Sequence, residues 1–521
     1  MNIYFRVNLD NKTGIGHIVR STVLASKIKS KNKIKLFLDS PVDYKINTKV
    51  FDIEYLYEKK EKFNTQKDIK KFTEITKNCP GIVIIDDYRI NNKWINEIKK
   101  IHNRIVLFDD NFSPFTKADI IINTKPDFLI DDNEKKYINI NRNAKLLVGP
   151  KYSIINPKPK IIVKSNKFKI MFYLGGSGNI KPFIKIIKNL KENFINFDLN
   201  TTYYLVVGPF CPNKKDIHMV SKFKNVKILE NKKNIISNYN FINLFVGSSG
   251  MSFYENKYYN IPSIFFEMNA NQKINLESAK LLGYYLFLKK SDLNNYYDIS
   301  KLIHYIYKNY KEIKQHTIKS TYQIDNKGAD RIAKIIIKKK DKNKNLKKTK
   351  ITTKIKSNVN FSHINEYLHA RNLADNMKFS NNKKKISYLE HYNWWFSNKR
   401  NSFVYYYKNK ILIFVFYELT LIDKKKYLIT GWFNANNKNK IDFLTIYRYI
   451  LLHTNHVEKI ATAKKCLPIS IINKKNKSMM YLTGKMKWTE LTSKVELKKI
   501  FASMNIQDQY NFSIYKKNID L

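Results

Sequence analysis

Arg6-Val7-Asn8 leads through Asn11-Lys12-Thr13 into Gly14-Ile15-Gly16-His17 and on to Arg20, the order of a strand, a glycine loop and a helix N-terminus. Amides without helical partners at such a start, with the helix dipole behind them, attract an anion or polar ligand, and two glycines let it approach the backbone. His17 then stands in the first turn, where an imidazole can activate water or accept a hydroxyl proton. A helix-capping histidine beside an ordinary turn is the competing reading, because short glycine motifs are common. Arg6 and Arg20 flank the loop and are two of only nine arginines among 96 basic residues. Each is a candidate for bidentate recognition of phosphate or carboxylate, or for a structural ion pair.

Two further loops repeat the pattern. Phe172-Tyr173-Leu174 runs into Gly175-Gly176-Ser177-Gly178, and Phe245-Val246 into Gly247-Ser248-Ser249-Gly250-Met251-Ser252, followed by Glu255 early in a helix. Such a loop can hold a diphosphate on amides and hydroxyls, with Glu255 accepting from ribose or sugar hydroxyls or simply opposing the helix dipole. Seven of the 14 glycines fall in these three groups, which marks backbone positions needing positive φ or close ligand approach.

The elements that must position these loops are short β-rich runs at Ile3–Val7, Ile34–Leu38, Gly81–Ile85, Arg104–Phe108 and Ala118–Ile122, with a helical period from His17 to Lys29. The pattern restarts at Phe168–Leu174, Tyr203–Val207, Val226–Leu229, Leu244–Val246 and Ser263–Phe266. The expected fold class is α/β, with two Rossmann-like lobes over 1–155 and 156–337, a lysine-rich exposed linker over 338–360 and an α+β domain over 361–521. Ligands in open α/β sheets bind beyond the carboxyl ends of strands, so two facing lobes imply a cleft site.

Composition narrows the function. The net charge is +53, yet the lysines are dispersed among asparagines and isoleucines, where a dedicated nucleic-acid patch would cluster and use more arginine. No specific nucleic-acid partner is expected. The longest apolar stretch, Ile411 to Ile422, is interrupted by Glu418 and is too short to span a bilayer; with no visible secretory signal, a soluble, cytoplasmic protein without membrane insertion is expected. Cys79, Cys211 and Cys466 lack metal-ligand spacing, so no metal, zinc or redox role is expected. Nothing in the sequence sets an oligomeric state.

The run Arg6-x-Asn8, Gly14-x-Gly16-His17-x-x-Arg20, Ile85-Asp86-Asp87-Tyr88, Leu107-Phe108-Asp109-Asp110, Gly149-x-x-Tyr152, Gly175-Gly176, the Gly247 to Glu255 loop and Asn271-Gln272 resembles the pseudaminic-acid pathway UDP-sugar hydrolases, relatives of the GT-B glycosyltransferases that use water as acceptor. The likeness covers nearly all of residues 1 to 325. It implies release of UDP and 2,4-diacetamido-2,4,6-trideoxy-L-altrose from a UDP-sugar without a cofactor, with His17 polarising or deprotonating the attacking water. It further implies that the loop Gly247 to Glu255 and the pair Asn271-Gln272 hold the nucleotide and diphosphate. Where that family has aspartate two residues after the first arginine, this chain has Asn8.

Arg371-Asn372, Ile386 to His391 and Trp394-Trp395-Phe396, followed by strands at Asn401–Tyr407 and Ile411–Ile422, resemble the opening of a GNAT-type N-acetyltransferase, and Ile469 to Trp488 its late segment. That likeness implies acetyl-CoA as cofactor of the third domain, and acetylation of the 4-amino sugar is the step before hydrolysis in the same pathway. The loop Asn436 to Lys440 lacks the glycine that a pyrophosphate-binding turn requires, so an idle, substrate-binding or structural domain is the open alternative. Trp394 and Trp395 are expected as core anchors. For the first two lobes the rival readings are a GT-B glycosyltransferase with an alcohol acceptor and a non-catalytic sugar-nucleotide binder.

Overall fold

Strand β1 (Asn2–Val7) is buried from Ile3 onward because it runs through the middle of a parallel sheet covered on both faces. The computed structural model describes the chain apart from residues 11–13, 29–31, 43, 47–48, 59–60, 131–133, 165, 231, 233, 338–355, 382, 399, 436–442 and 519–521; at 134–136 and 443 it describes the backbone alone. The chain divides into two units, Met1–Asn345 and Leu346–Leu521.

In the first unit, β1, β2 (Lys33–Leu38), β3 (Asp52–Tyr55), β4 (Ile82–Asp86), β5 (Arg104–Phe108), β6 (Ile120–Asn123) and β7 (Lys145–Val148) form one sheet in the order β3-β2-β1-β4-β5-β6-β7. Every pairing is parallel. A second all-parallel sheet follows from β8 (Phe168–Tyr173), β9 (Thr201–Val207), β10 (Val226–Glu230), β11 (Leu244–Ser248), β12 (Ser263–Glu267) and β13 (Leu286–Lys289), in the order β10-β9-β8-β11-β12-β13. These are the two Rossmann-like lobes expected. The order reverses between β1 and β4 in one sheet and between β8 and β11 in the other, and the crevice at such a reversal is where open α/β sheets take ligands. All three glycine groups sit there.

Two boundaries differ from expectation. The helix Gly328–Ile337 falls in the span expected for the second lobe, but Ala329, Ile332, Ala333 and Ile336 pack into the core of the first. Gly328 lies against Ser153, and Arg104 Nη1 donates to the Ile336 carbonyl at 2.6 Å. Of the expected 338–360 linker, residues 338–355 lie outside the described residues, and β14 (Lys356–Asn358) pairs antiparallel with β15 (Asn401–Tyr407). Those three residues join the third domain because β15 offers them a free edge.

The second unit holds β14, β15, β16 (Lys410–Ile422), β17 (Lys425–Asn434), β18 (Leu467–Asn473), β19 (Thr489–Glu490) and β20 (Phe512–Lys516) in the order β14-β15-β16-β17-β18-β20-β19. The sheet is mixed, with β17 and β18 parallel and the other pairs antiparallel. Trp394 and Trp395 are half-buried and pack against a core of Tyr367, Val404, Phe414 and Phe433. Among the described residues no helix is long and apolar enough to cross a membrane.

Candidate functional site

His17 sits in the first turn of the helix Gly16–Ile28 and is almost wholly buried. Its Nδ1 lies 2.5 Å from Asp86 Oδ1 and 3.0 Å from the Asp86 main-chain oxygen. Asp86 ends β4, so the strand that neighbours β1 across the sheet reversal delivers the carboxylate to the glycine-loop helix. With the Nδ1 proton given to Asp86, Nε2 is the nitrogen left to accept one. Burial alone pushes the imidazole toward its neutral form, but the Asp86 charge outweighs it, and the pKa ends above the ordinary histidine value. Asp86 itself is desolvated, yet Arg20 and His17 hold it well below the usual carboxylate range.

Arg20, one helical turn after His17, donates from Nε to Asp86 Oδ2 at 2.6 Å, from Nη2 to Asp86 Oδ1 at 2.5 Å and from Nη1 to Asp110 Oδ2 at 2.9 Å. Its guanidinium lies 4.7 Å over the Phe108 ring. Arg20 thus orients the carboxylate that orients His17. Tyr88 completes the cluster: its ring meets the imidazole edge-on at 4.7 Å, and its hydroxyl donates to Asp110 Oδ2 at 2.6 Å. Asn8 is buried beside them, its N–H donating to the same Asp86 carbonyl that faces His17.

Arg6 stands apart. Its side chain has no exposed surface and donates to Asp68 at 2.7 Å and Asp39 at 2.6 Å, with Asp87 at 3.6 Å. Trp94 and Tyr57 also donate to Asp68, and Arg89 pairs with Asp39 and Asp87. The expected ligand-binding role of Arg6 gives way to a buried ion cluster that fixes the ends of β1, β2 and β4. A guanidinium sealed among three carboxylates has no face for a substrate.

The glycine loops of the two lobes meet. A methyl placed on Gly176 would lie 3.0 Å from Ile15 Cγ1, and one on Gly14 would lie 3.6 Å from Ser177 Oγ. Gly14 and Gly175 have φ of 74° and 87°, which glycine adopts without strain. Gly16 faces open space: a methyl added there would meet nothing within 4 Å. In the second lobe Ser248 and Ser249 are buried, and Ser249 Oγ donates to the Gln272 carbonyl at 2.9 Å. Gly250 lies beside the Gln272 amide, while Gln272 Oε1 accepts from Met268 N–H at 3.3 Å. The Ser248 to Met251 turn, the helix starting at Ser252 and the Asn271-Gln272 segment therefore form one wall. Asn271 reaches out of it, its Nδ2 donating to Tyr88 Oη of the first lobe at 3.2 Å.

Glu255 is half-buried in the first turn of the helix Ser252–Tyr258. Burial pushes its carboxyl up to about 7, and its charge adds to the burial that keeps Tyr173 protonated.

Of the candidate residues, His17, Asn8, Gly14, Gly16 and Arg20 lie at the mouth of the first lobe, and Gly175, Gly176, Ser248 to Ser252, Glu255, Asn271 and Gln272 at that of the second. Asp86, Asp110 and Tyr88 join them: the sequence places the aspartates at strand ends, where cleft residues belong but where paired aspartates as often form turns and caps, and it assigns Tyr88 no role. Their signal is an acidic pair ending each of two neighbouring strands. Only one member of each pair faces His17 or Arg20: Asp87 joins the Arg6 cluster, and Asp109 caps its own turn by accepting from the N–H groups of Asn111 and Ser113.

In the second unit the β17–β18 pairing ends at Thr430–Ser470 although both strands continue. A cavity of about 20 Å³ there is lined by Thr430, Trp432, His453, Met486 and Trp488 among others, room for about one water. The Asn436 to Lys440 loop lies outside the described residues.

No protein-family model matches the chain. An uncharacterised protein of Methanocaldococcus jannaschii is 24% identical over 273 residues, 50% of this chain and 54% of that protein; the chain thus spans about half the length of the curated relative it matches. Among solved structures, Acinetobacter baumannii MurG aligns at 10% identity over 64% of this chain and 99% of its own, with a TM-score of 0.43. S. aureus MnaA with UDP aligns at 12% over 64% and 94%, TM-score 0.45. Neisseria meningitidis UDP-GlcNAc 2-epimerase bound to UDP-GlcNAc aligns at 12% over 65% and 100%, TM-score 0.43. Likeness at these scores carries no weight for activity, and the fold stands on the two sheets themselves.

Proposed function

We propose that the first unit hydrolyses a UDP-linked 2,4-diacetamido-2,4,6-trideoxy-L-altrose to UDP and the free sugar. The observation that carries this reading is the His17–Asp86 pair at the lip of a two-lobed cleft, with Nε2 left to take a proton from water. The water oxygen forms a bond to the anomeric carbon, the bond from that carbon to the diphosphate oxygen breaks, and UDP leaves with the electron pair. The water proton passes to His17 Nε2. The wall of Ser248 to Ser252, Glu255 and Gln272 holds the diphosphate and ribose, and the helix start at Gly16 supplies amides toward the same space. The sequence resemblance supplies the sugar's identity. The test is incubation of the full chain with this UDP-sugar and no acceptor, followed by NMR: UDP and free sugar appear in equal amounts, whereas a glycosyltransferase leaves the substrate intact until an alcohol acceptor is added.

For the third domain the proposal is a GNAT-like fold, supported by the strand order and by the single parallel pair that parts beyond Thr430 and Ser470. Acetyl-CoA as the cofactor of that domain belongs to the same proposal, and no transfer step is derived through it. Protection of the second unit from thermal unfolding by acetyl-CoA is the direct check.

A further inference from the structure

We propose that Tyr88 is a positioning residue that couples closure of the two lobes to the His17 site, a reading that rests on the function proposed above and deepens it. The Tyr88 hydroxyl is shared between lobes: it donates to Asp110 of the first at 2.6 Å and accepts from Asn271 of the second at 3.2 Å. Asp110 also grips Arg20, Arg20 grips Asp86, and Asp86 holds Nδ1 of His17. The Tyr88 ring lies edge-on against that same imidazole. One side chain therefore touches the proposed base directly and also ends a chain of charge-assisted hydrogen bonds leading to it, while its other partner belongs to the nucleotide wall.

Asn271 is the second-lobe residue that makes this bond, and it is joined in sequence to Gln272, whose carbonyl holds Ser249. Movement of the nucleotide wall on UDP binding is thereby transmitted to Tyr88. Burial, reinforced by the Asp110 charge, keeps the hydroxyl protonated far above its usual range, so it stays a donor to Asp110 and an acceptor for Asn271. Tyr88 is itself partly exposed at the cleft, as a contact that opens and closes must be.

The experiment is a double-mutant cycle on the full chain with Tyr88→Phe, Asn271→Ala and the pair, measuring kcat and KM for the UDP-sugar and calorimetric affinity for UDP alone. Phenylalanine keeps the ring on His17, so folding is preserved and only the hydroxyl is lost. Each single change is expected to lower kcat and weaken UDP binding by roughly three- to tenfold, with the double variant no worse than the poorer single. For Tyr88→Phe the loss in kcat is expected to exceed the loss in UDP affinity, a split that a purely structural role would not give. Losses that multiply in the double variant, or full kcat in Tyr88→Phe, overturn the coupling. UDP affinity reports the coupling even if the wild-type chain releases no sugar, so that result would sink the hydrolase reading while the binding cycle still decides the role of Tyr88.

Discussion

His17 Nδ1 stands 2.5 Å from Asp86 Oδ1, and this contact ties the glycine-loop helix to the neighbouring strand. It fixes which imidazole nitrogen carries the proton and raises the pKa of the ring above its ordinary value against the pull of burial. Activity that needs neutral His17 is lost as pH falls through that raised pKa. Asp86→Asn removes the charge, so the acidic limb of the kcat profile moves to lower pH while kcat itself drops on the order of 100-fold. A profile recorded from pH 5 to 9 for both proteins checks the sign; an unmoved limb would assign it to another group.

The Arg6 cluster predicts a different signature. Arg6→Met leaves Asp68, Asp39 and Asp87 without their central cation, and breaking a buried ion pair from one side costs about 3 to 5 kcal/mol. The urea midpoint falls sharply, yet the folded fraction binds UDP with wild-type affinity. Weakened UDP binding without loss of stability would return Arg6 to the ligand.

Glycines separate packing from ligand approach. A methyl on Gly247 would sit 2.0 Å from the Tyr173 carbonyl oxygen, while one on Gly16 meets nothing within 4 Å. Gly247→Ala is therefore expected to unfold or severely destabilise the second lobe. Gly16→Ala keeps or slightly raises the thermal midpoint, since alanine favours helix by about 1 kcal/mol, but lowers kcat/KM by crowding the ligand. Equal midpoint losses in the two variants would contradict this division.

Glu255 predicts a pH-dependent stability. Its carboxyl is pushed from the ordinary 4.5 up to about 7 by burial. The folded state therefore holds the proton more tightly than the unfolded chain, and its contribution is lost as pH rises between those two values. Glu255→Gln should raise the thermal midpoint at pH 8 relative to wild type, leave it unchanged at pH 4, and weaken UDP binding at both. A midpoint difference independent of pH would show that Glu255 is not the titrating group.

Much of this arrangement is legible in the sequence because buried parallel strands announce themselves. Ile82 to Ile85 and Ile105 to Phe108 are apolar on both faces, and scarce glycines mark the turns at the ends of β1, β8 and β11. The edge strand β3 is not legible: Asp52–Tyr55 is only four residues long with none fully buried, too short for the alternation of Ile53 and Tyr55 with Asp52 and Glu54 to stand out. The helical period of Gly328–Ile337 reveals an apolar face but not which lobe it covers. The rarity of arginine flags Arg6 and Arg20 together, yet their fates differ because their partners, Asp39 and Asp68 for one and Asp86 and Asp110 for the other, lie far away in sequence and are brought in only by the sheet order.

If water activated at His17 breaks the bond between the sugar carbon and the diphosphate oxygen, the bridging oxygen must stay with UDP. Turnover of the UDP-sugar in ¹⁸O-enriched water, with mass analysis of the released UDP, reads this directly. UDP free of label is expected, and no UDP at all from His17→Asn despite retained binding; label on the terminal phosphate of UDP, or undiminished release by His17→Asn, would contradict hydrolysis at the sugar carbon by water activated at His17.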